Sequence, residues 1–243
     1  MPILNRRVKY ALRPFIPAWL RHAVLNRQYQ HERYRSGTPA DIFSAIYRDG
    51  IWGSGDDFMS GAGSHDPALV EPYINAVRAF AQASGEQLVA VDLGCGDFAV
   101  GKHLVSSFAA YKACDVVPAL IERNRAKFTE PALSFAVVDL IADSLPSGDV
   151  AMLRQVLQHL SNDQVAQILP KLAAYKYVIV TEHIPNGDFT PNLDKIAGPH
   201  TRLASCSGLV LNSDPFHFER HGKVICRIAD RGSIIETTVW YAM

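Results

Sequence analysis

The run Val89-Ala-Val-Asp-Leu-Gly-Cys-Gly-Asp97 constrains this chain more than any other feature. Leu88 to Val91 is a short apolar stretch, too short for a helix, and reads as a buried strand. It ends in an acid and then two glycines one residue apart. Glycines placed after a strand let the backbone turn tightly and approach a ligand closely. The rhythm then repeats. Tyr111–Cys114, Leu133–Val138, Asp149–Leu153 and Tyr177–Val180 read as further strands. Val100–Phe108, Pro118–Phe128 and Asp163–Tyr175 read as helices, the last capped by Asn162 or Ser161. Strands alternating with helices predict a parallel sheet with right-handed crossovers. The C-terminus breaks the pattern: Lys223–Ile228 and Ser233–Tyr241 are strand-like and are joined by Ala229-Asp230-Arg231-Gly232, which predicts an antiparallel hairpin.

Upstream, Asp41 is placed to cap a short helix over Ile42–Arg48, and Asp66 with Pro67 opens a helix that Gly85 stops near Ala83. Residues 50–66, rich in Gly, Ser and Asp, read as a long loop, and long loops in compact domains are often functional. Trp52 and the run Ser60-Gly61-Ala62-Gly63-Ser64 are expected to fold over a bound ligand as a lid; a plain connector is the alternative. The organisation is therefore a basic extension over 1–35, a lid loop and helix over 36–84, and a core over 85–243.

Charge sets the extension apart. The 243 residues balance 24 basic against 24 acidic side chains, yet residues 1–35 hold eight basic groups and only Glu32 as an acid. The first 35 residues thus carry +7 and the remainder −7. A basic segment with Trp19 at helix-like spacing can lie on an anionic membrane surface, giving peripheral contact. Packing on its own domain or on a partner subunit is the alternative. No apolar run reaches the ~18 residues of a membrane span. Four scattered cysteines without a CxxC pair argue for reduced thiols in a cytoplasm and against a cysteine zinc site. The remaining histidines show no ligand spacing, so no metal is expected. The acidic core disfavours nucleic acid as a partner, as does the lack of an Asn/Asp-Pro-Pro-Tyr/Phe string at the fourth strand.

Gly94-x-Gly96-x-x-Ala99 also fits a dinucleotide fingerprint, but Asp92 at the loop entrance repels a pyrophosphate and suits a cationic ligand. The string VDLGCGD resembles motif I of the class I S-adenosylmethionine-dependent methyltransferases. It departs from the fuller motif at Phe98, which stands where a third glycine often sits. The resemblance implies a Rossmann-like seven-stranded sheet, flanked by helices and mostly parallel, whose sixth and seventh strands are the C-terminal hairpin. It implies S-adenosylmethionine as cofactor, with Asp92, Leu93, Gly94, Cys95, Gly96 and Asp97 around it. It makes Asp115, 23 residues after Asp92, the ribose acid beside Val116. It places Asp139 on the adenine amino group with Leu140 lining the ring. Trp52, Gly61, Gly63, Arg154 and Gln155 complete the expected cofactor contacts. A narrower likeness, carried by IWGSGDDFMSGAGS, LRQVLQHLS, TEHIPNGDF and SGLVLNSDPF, is to a bacterial group of these enzymes that accompanies polysaccharide or glycoconjugate genes. It implies O-methylation of a glycan or small hydroxylated acceptor.

Methyl transfer to a hydroxyl benefits from alignment and from a general base. His159, four residues after Gln155 and on one helical face with it, is either that base or a buried structural histidine. Glu182 or His183, following the fifth strand, is the other candidate base. Asn192, Asp194 and Lys195 lie in the loop 184–204, expected to line an acceptor pocket. A non-catalytic module that keeps the fold for binding or assembly is the second class of function; Gln155 and the lack of a clear catalytic acid leave room for it.

Overall fold

The computed structural model describes residues 37–53 and 57–242. The basic extension over 1–35 lies outside the described residues. Helix α1 (Pro39–Arg48) opens on a capping box: Thr38 Oγ1 accepts from Asp41 N at 3.2 Å, and Asp41 Oδ2 accepts from Thr38 N at 3.0 Å. Thr38 is therefore the cap, and Asp41 is its reciprocal partner inside the first turn, where an acid also meets the helix dipole. Helix α2 (Pro67–Ser84) starts as its sequence predicts, with the Asp66 side chain accepting from Ala68 N and Gly85 in the left-handed region at φ 65°.

Seven strands follow: β1 (Val89–Leu93), β2 (Ala110–Asp115), β3 (Leu133–Val137), β4 (Val150–Arg154), β5 (Tyr177–Pro185), β6 (His221–Asp230) and β7 (Ser233–Tyr241). They form one sheet in the order β3-β2-β1-β4-β5-β7-β6. β1 to β5 are parallel, and β7 runs antiparallel to both β5 and β6. The two-residue alternation of the strands divides the core. Ala90, Val150, Met152 and Ile179 face α2, whereas Val91, Leu93, Ala151, Leu153, Val178 and Val180 face the layer built from helix α4 (Asn162–Ile168) and Leu172.

Three elements differ from the sequence reading. The helix expected over 100–108 is two 3-10 turns, Gly101–His103 and Val105–Ser107, because the chain must be extended again at Phe108 to enter β2. The helix expected over 163–175 is α-helical only to Ile168. Pro170 has no N–H to continue the ladder, and a 3-10 stretch runs from Leu169 to Ala174. β5 does not end at Val180. Ser233 to Ile235 of β7 pair with Pro185 to His183, so Thr181, Glu182 and His183 belong to a strand and not to a loop. The helix over Pro118–Lys127, called α3 here, ends as predicted within one residue.

Candidate active site

A cavity of about 380 Å³ opens at the C-terminal ends of β1, β2 and β4, where ligands of such sheets bind. The glycine loop forms its floor. Gly94 N and Cys95 N both donate to Cys114 O at 2.8 Å, turning the chain back across β2. A Cβ on Gly94, at φ 90°, would meet Val156 at 2.5 Å, so only glycine fits. From the next helix, α3, Asn124 Nδ2 donates to Gly96 O at 2.7 Å and Arg123 Nη1 to Asp97 O at 2.9 Å. Phe98 adopts a left-handed φ of 62° yet is fully buried, its ring edge-on to Tyr111, Phe128 and Phe135. Aromatic burial outweighs the backbone cost of the missing third glycine.

Two acids on adjacent strands line the cavity. Asp92 is the penultimate residue of β1 and accepts from the Tyr111 hydroxyl at 2.9 Å; burial raises its carboxyl to about 7. Asp115 ends β2, and its two oxygens accept from Gly96 N at 3.0 Å and Val117 N at 3.1 Å. Burial raises it to about 6, against the pull of those backbone donors. Asp139 also reaches the cavity, but its Oδ1 accepts from Ile141 N at 2.8 Å and Ala142 N at 3.3 Å, shaping the loop it belongs to. Lys171 Nζ fastens the same loop by donating to the carbonyls of Leu140, Ile141 and Asp143.

The loop that carries Ser60 is bound to the glycine loop. Ser60 N donates to Asp97 Oδ2 at 2.7 Å, and Asp97 N donates back to Ser60 Oγ at 2.8 Å. Tyr47 and His65 join this network, each by a single contact. Asp57 pairs with Arg123, whose guanidinium holds the carboxyl far below its usual range. Trp52 lies edge-on to Tyr47, 5.1 Å from the His159 ring, and its Nε1 donates to Pro199 O at 3.2 Å.

Of the sequence-predicted cofactor contacts, Trp52, Gly63, Asp92, Gly94, Cys95, Gly96, Asp97, Asp115, Val116, Asp139, Leu140, Arg154 and Gln155 line the cavity. Leu93 and Gly61 do not: Leu93 points into the core, and Gly61 supplies a turn at φ 88°. Arg154 donates to Gly63 O at 2.8 Å and stacks on Tyr73. Gln155 holds a left-handed φ of 56°, so no helix follows it, and His159 sits on a 3-10 turn (Leu157–His159) instead of sharing a helical face with Gln155.

His159 lines the cavity, but burial holds its ring well down, at about 3. Its Nδ1 lies 3.2 Å from the Gly198 carbonyl, which can only accept, so Nδ1 carries the proton; Nε2 faces the Gln158 amide nitrogen at 3.4 Å. Glu182 does not reach the cavity. It is buried behind the 157–160 turn, where Oε2 accepts from Gln158 N at 3.1 Å, and desolvation raises it to about 8. Arg202, which the sequence did not single out, donates to the carbonyls of the same turn from Leu157 to Leu160. The three loop residues expected at an acceptor also face elsewhere. Asn192 ties Val210 and Asp214 to its own loop, Asp194 accepts from Asn162 N at the start of α4, and Lys195 donates to His159 O and Ile196 O. From that loop it is Pro199 and Thr201 that line the cavity.

The sheet order, its antiparallel terminal pair and an acid-flanked glycine loop define a Rossmann-like methyltransferase. The family model of the O-methyltransferase domain matches residues 18–188, and the chain belongs to that family. Magnesium protoporphyrin IX methyltransferase from Synechocystis PCC 6803, solved with bound S-adenosylhomocysteine, shares the fold with a TM-score of 0.56 at 14% identity, over 83% of this chain and 95% of that one. N-methyltransferase NodS from Bradyrhizobium japonicum WM9 gives a TM-score of 0.56 at 13% identity, over 82% and 98%. The N-terminal domain of EvdMO1, crystallised in the presence of S-adenosylhomocysteine and D-fucose, gives 0.55 at 14% identity, over 83% and 97%. A search among curated proteins returned no match.

Proposed function

We propose that the protein binds S-adenosylmethionine in this cavity and methylates a hydroxyl of a glycan or other small acceptor. The observation that carries the reading is the pair Asp92 and Asp115: two buried carboxyls, raised by desolvation, at the ends of neighbouring strands and open to the cavity. Such groups gain from a ligand that brings hydroxyl donors and positive charge. The bare Gly96 lets the loop of Ser60 pack close against the glycine turn, since a Cβ there would meet Ser60 Oγ at 2.4 Å. A cavity of about 380 Å³ also falls within the size class of small-molecule sites. The residues therefore fit the cofactor.

In this reading Asp115 receives the ribose hydroxyls beside Val116. The loop of Asp139, Leu140 and Ile141 lies against adenine, and Asp92 faces the cationic part of the ligand. Cys95, Gly96 and Asp97 carry the backbone past it, and Trp52 with the run Ser60 to Ser64 covers it. When bound, S-adenosylmethionine supplies an electrophilic methyl on a sulfonium. The chain's task is to align the acceptor oxygen with that methyl and to exclude water. The basic segment 1–35 would hold the enzyme beside an acceptor made at the cytoplasmic face of a membrane.

Titration calorimetry with S-adenosylhomocysteine tests the cofactor half. Wild type is expected to bind, and Asp115→Ala to bind at least tenfold more weakly, consistent with losing hydrogen bonds to a charged acceptor worth about 1.5–3 kcal/mol. No binding by the wild type, or equal binding by the variant, contradicts it. Mass spectra of glycans extracted with and without the gene test the acceptor half, through the loss of a methyl group.

A further inference from the structure

His183 stands near the outer end of β5, opposite Ile235 of β7, and lines the cavity. The terminal hairpin holds its ring. Nε2 lies 2.7 Å from Ser233 Oγ and 3.5 Å from Asp230 Oδ2. Ser233 has one hydroxyl proton, and that proton goes to the backbone carbonyl of Asp230, which can only accept. The serine oxygen must then accept from the ring, so Nε2 carries the ring proton. In a neutral imidazole this leaves Nδ1 as a bare acceptor. The described hydrogen bonds of the ring use Nε2 alone, and the His183 side chain, 13% exposed, lines the cavity. The backbone is fixed as well: His183 N donates to Gln158 Oε1 at 3.1 Å.

The two other candidate bases lack this arrangement. Nε2 of His159 already faces the Gln158 amide, and Glu182 is sealed away from the cavity. We propose that His183 is the general base for the acceptor hydroxyl, and that Ser233 and Asp230 are positioning residues that fix its tautomer. The proposal rests on the methyl-transfer reading above. The hydroxyl proton passes to Nδ1, the oxygen electron pair forms the bond to the methyl carbon, and the pair of the breaking carbon–sulfur bond stays on sulfur. The imidazolium so formed meets the Asp230 carboxylate, 3.5 Å from Nε2, which offsets its positive charge. The β6–β7 hairpin thus contributes chemistry as well as closing the sheet.

Ring-nitrogen NMR on the full chain, labelled at histidine and saturated with S-adenosylhomocysteine, reads the tautomer directly. The His183 signal is assigned by its loss in His183→Gln. Near neutral pH the wild type is expected to show a protonated Nε2 and a bare Nδ1, Ser233→Ala to show a mixture, and added catechol, a hydroxylated probe, to shift the bare nitrogen. Methyl transfer to catechol from labelled S-adenosylmethionine is expected to fall about 10²–10⁴-fold in His183→Gln, with S-adenosylhomocysteine affinity unchanged. A proton on Nδ1, a ring that ignores catechol, or transfer retained within a few-fold in His183→Gln overturns the proposal. Failure of the wild type to bind S-adenosylhomocysteine overturns the underlying reading instead, so the two failures are distinguishable.

Discussion

The Tyr111 hydroxyl donates to Asp92 Oδ2 at 2.9 Å inside the core, joining β2 to the penultimate residue of β1. One phenol hydrogen bond does not offset the burial of a carboxylate, and the Asp92 carboxyl sits near 7. The folded state therefore holds a proton there that the unfolded chain gives up near its ordinary value of about 3.9. Stability falls as pH rises from the unfolded value toward 7, and the full cost is present above it. Asp92→Asn should accordingly be more stable than the wild type at about pH 8, by on the order of a few kcal/mol and hence with a higher melting temperature, with the gain vanishing toward about pH 4. Thermal unfolding at the two pH values checks this, and an equal gain at both contradicts it.

Cofactor affinity should run the other way. Binding uses the charged forms of Asp92 and Asp115, which titrate near 7 and 6 in the free protein. The dissociation constant for S-adenosylhomocysteine is expected to fall as pH rises through those values and to level off above them. Asp92→Asn should lose the upper part of that dependence. Calorimetry across the range reads both, and a flat profile in the wild type contradicts the assignment.

The glycine loop offers a matched pair of substitutions. Gly96 (φ 56°) and Gly85 (φ 65°) are both left-handed, but a Cβ at Gly96 meets Ser60 Oγ at 2.4 Å whereas one at Gly85 meets nothing within 4 Å. Gly85→Ala should cost about 1 kcal/mol of stability and leave cofactor affinity intact. Gly96→Ala should displace the lid and weaken affinity at least tenfold. Equal affinities in the two variants would separate the lid from cofactor binding.

Phe98 tests which force governs the missing third glycine. Phe98→Gly relieves about 1–2 kcal/mol of left-handed strain but removes aromatic burial worth about 3–5 kcal/mol. Denaturant unfolding should show a net loss of stability; a gain would mean that the ring contributes little.

These residues also show what a single pass along the chain can read. Asp92, Gly94 and Gly96 are legible because a short apolar run, an acid and a glycine turn are adjacent in sequence, and Asp115 is legible as the acid that closes the next strand-like run. Phe98 is visible only as a departure, since the aromatic cluster that accommodates it gathers from β2, β3 and the end of α3. Glu182, Asn192, Asp194 and Lys195 look like site residues because they are polar and follow strands. Their partners lie at Gln158, Val210, Asn162 and His159, far along the chain, and those partners turn them toward backbone groups. Arg202 and Lys171 escape notice for the same reason: each bonds to backbone carbonyls, which carry no sequence signature. His183 is read as following the fifth strand, because the β7 residues that extend β5 to Pro185 lie about 50 positions on, from Ser233 to Ile235.

The excess of eight basic groups over one acid in residues 1–35 gives a separate expectation. A chain lacking those residues should bind anionic liposomes more weakly than the full chain and bind S-adenosylhomocysteine equally well. Co-sedimentation and calorimetry on both chains read this, and unchanged liposome binding contradicts the membrane role.

The account stands most directly on where the cofactor sits. A crystal structure of the protein grown with S-adenosylhomocysteine measures that. The ribose hydroxyls are expected within hydrogen-bonding distance of Asp115, the adenine against the loop from Asp139 to Ile141, and the sulfur on the cavity side of Asp92. A ligand bound elsewhere, or a ribose that leaves Asp115 without a contact, would contradict it.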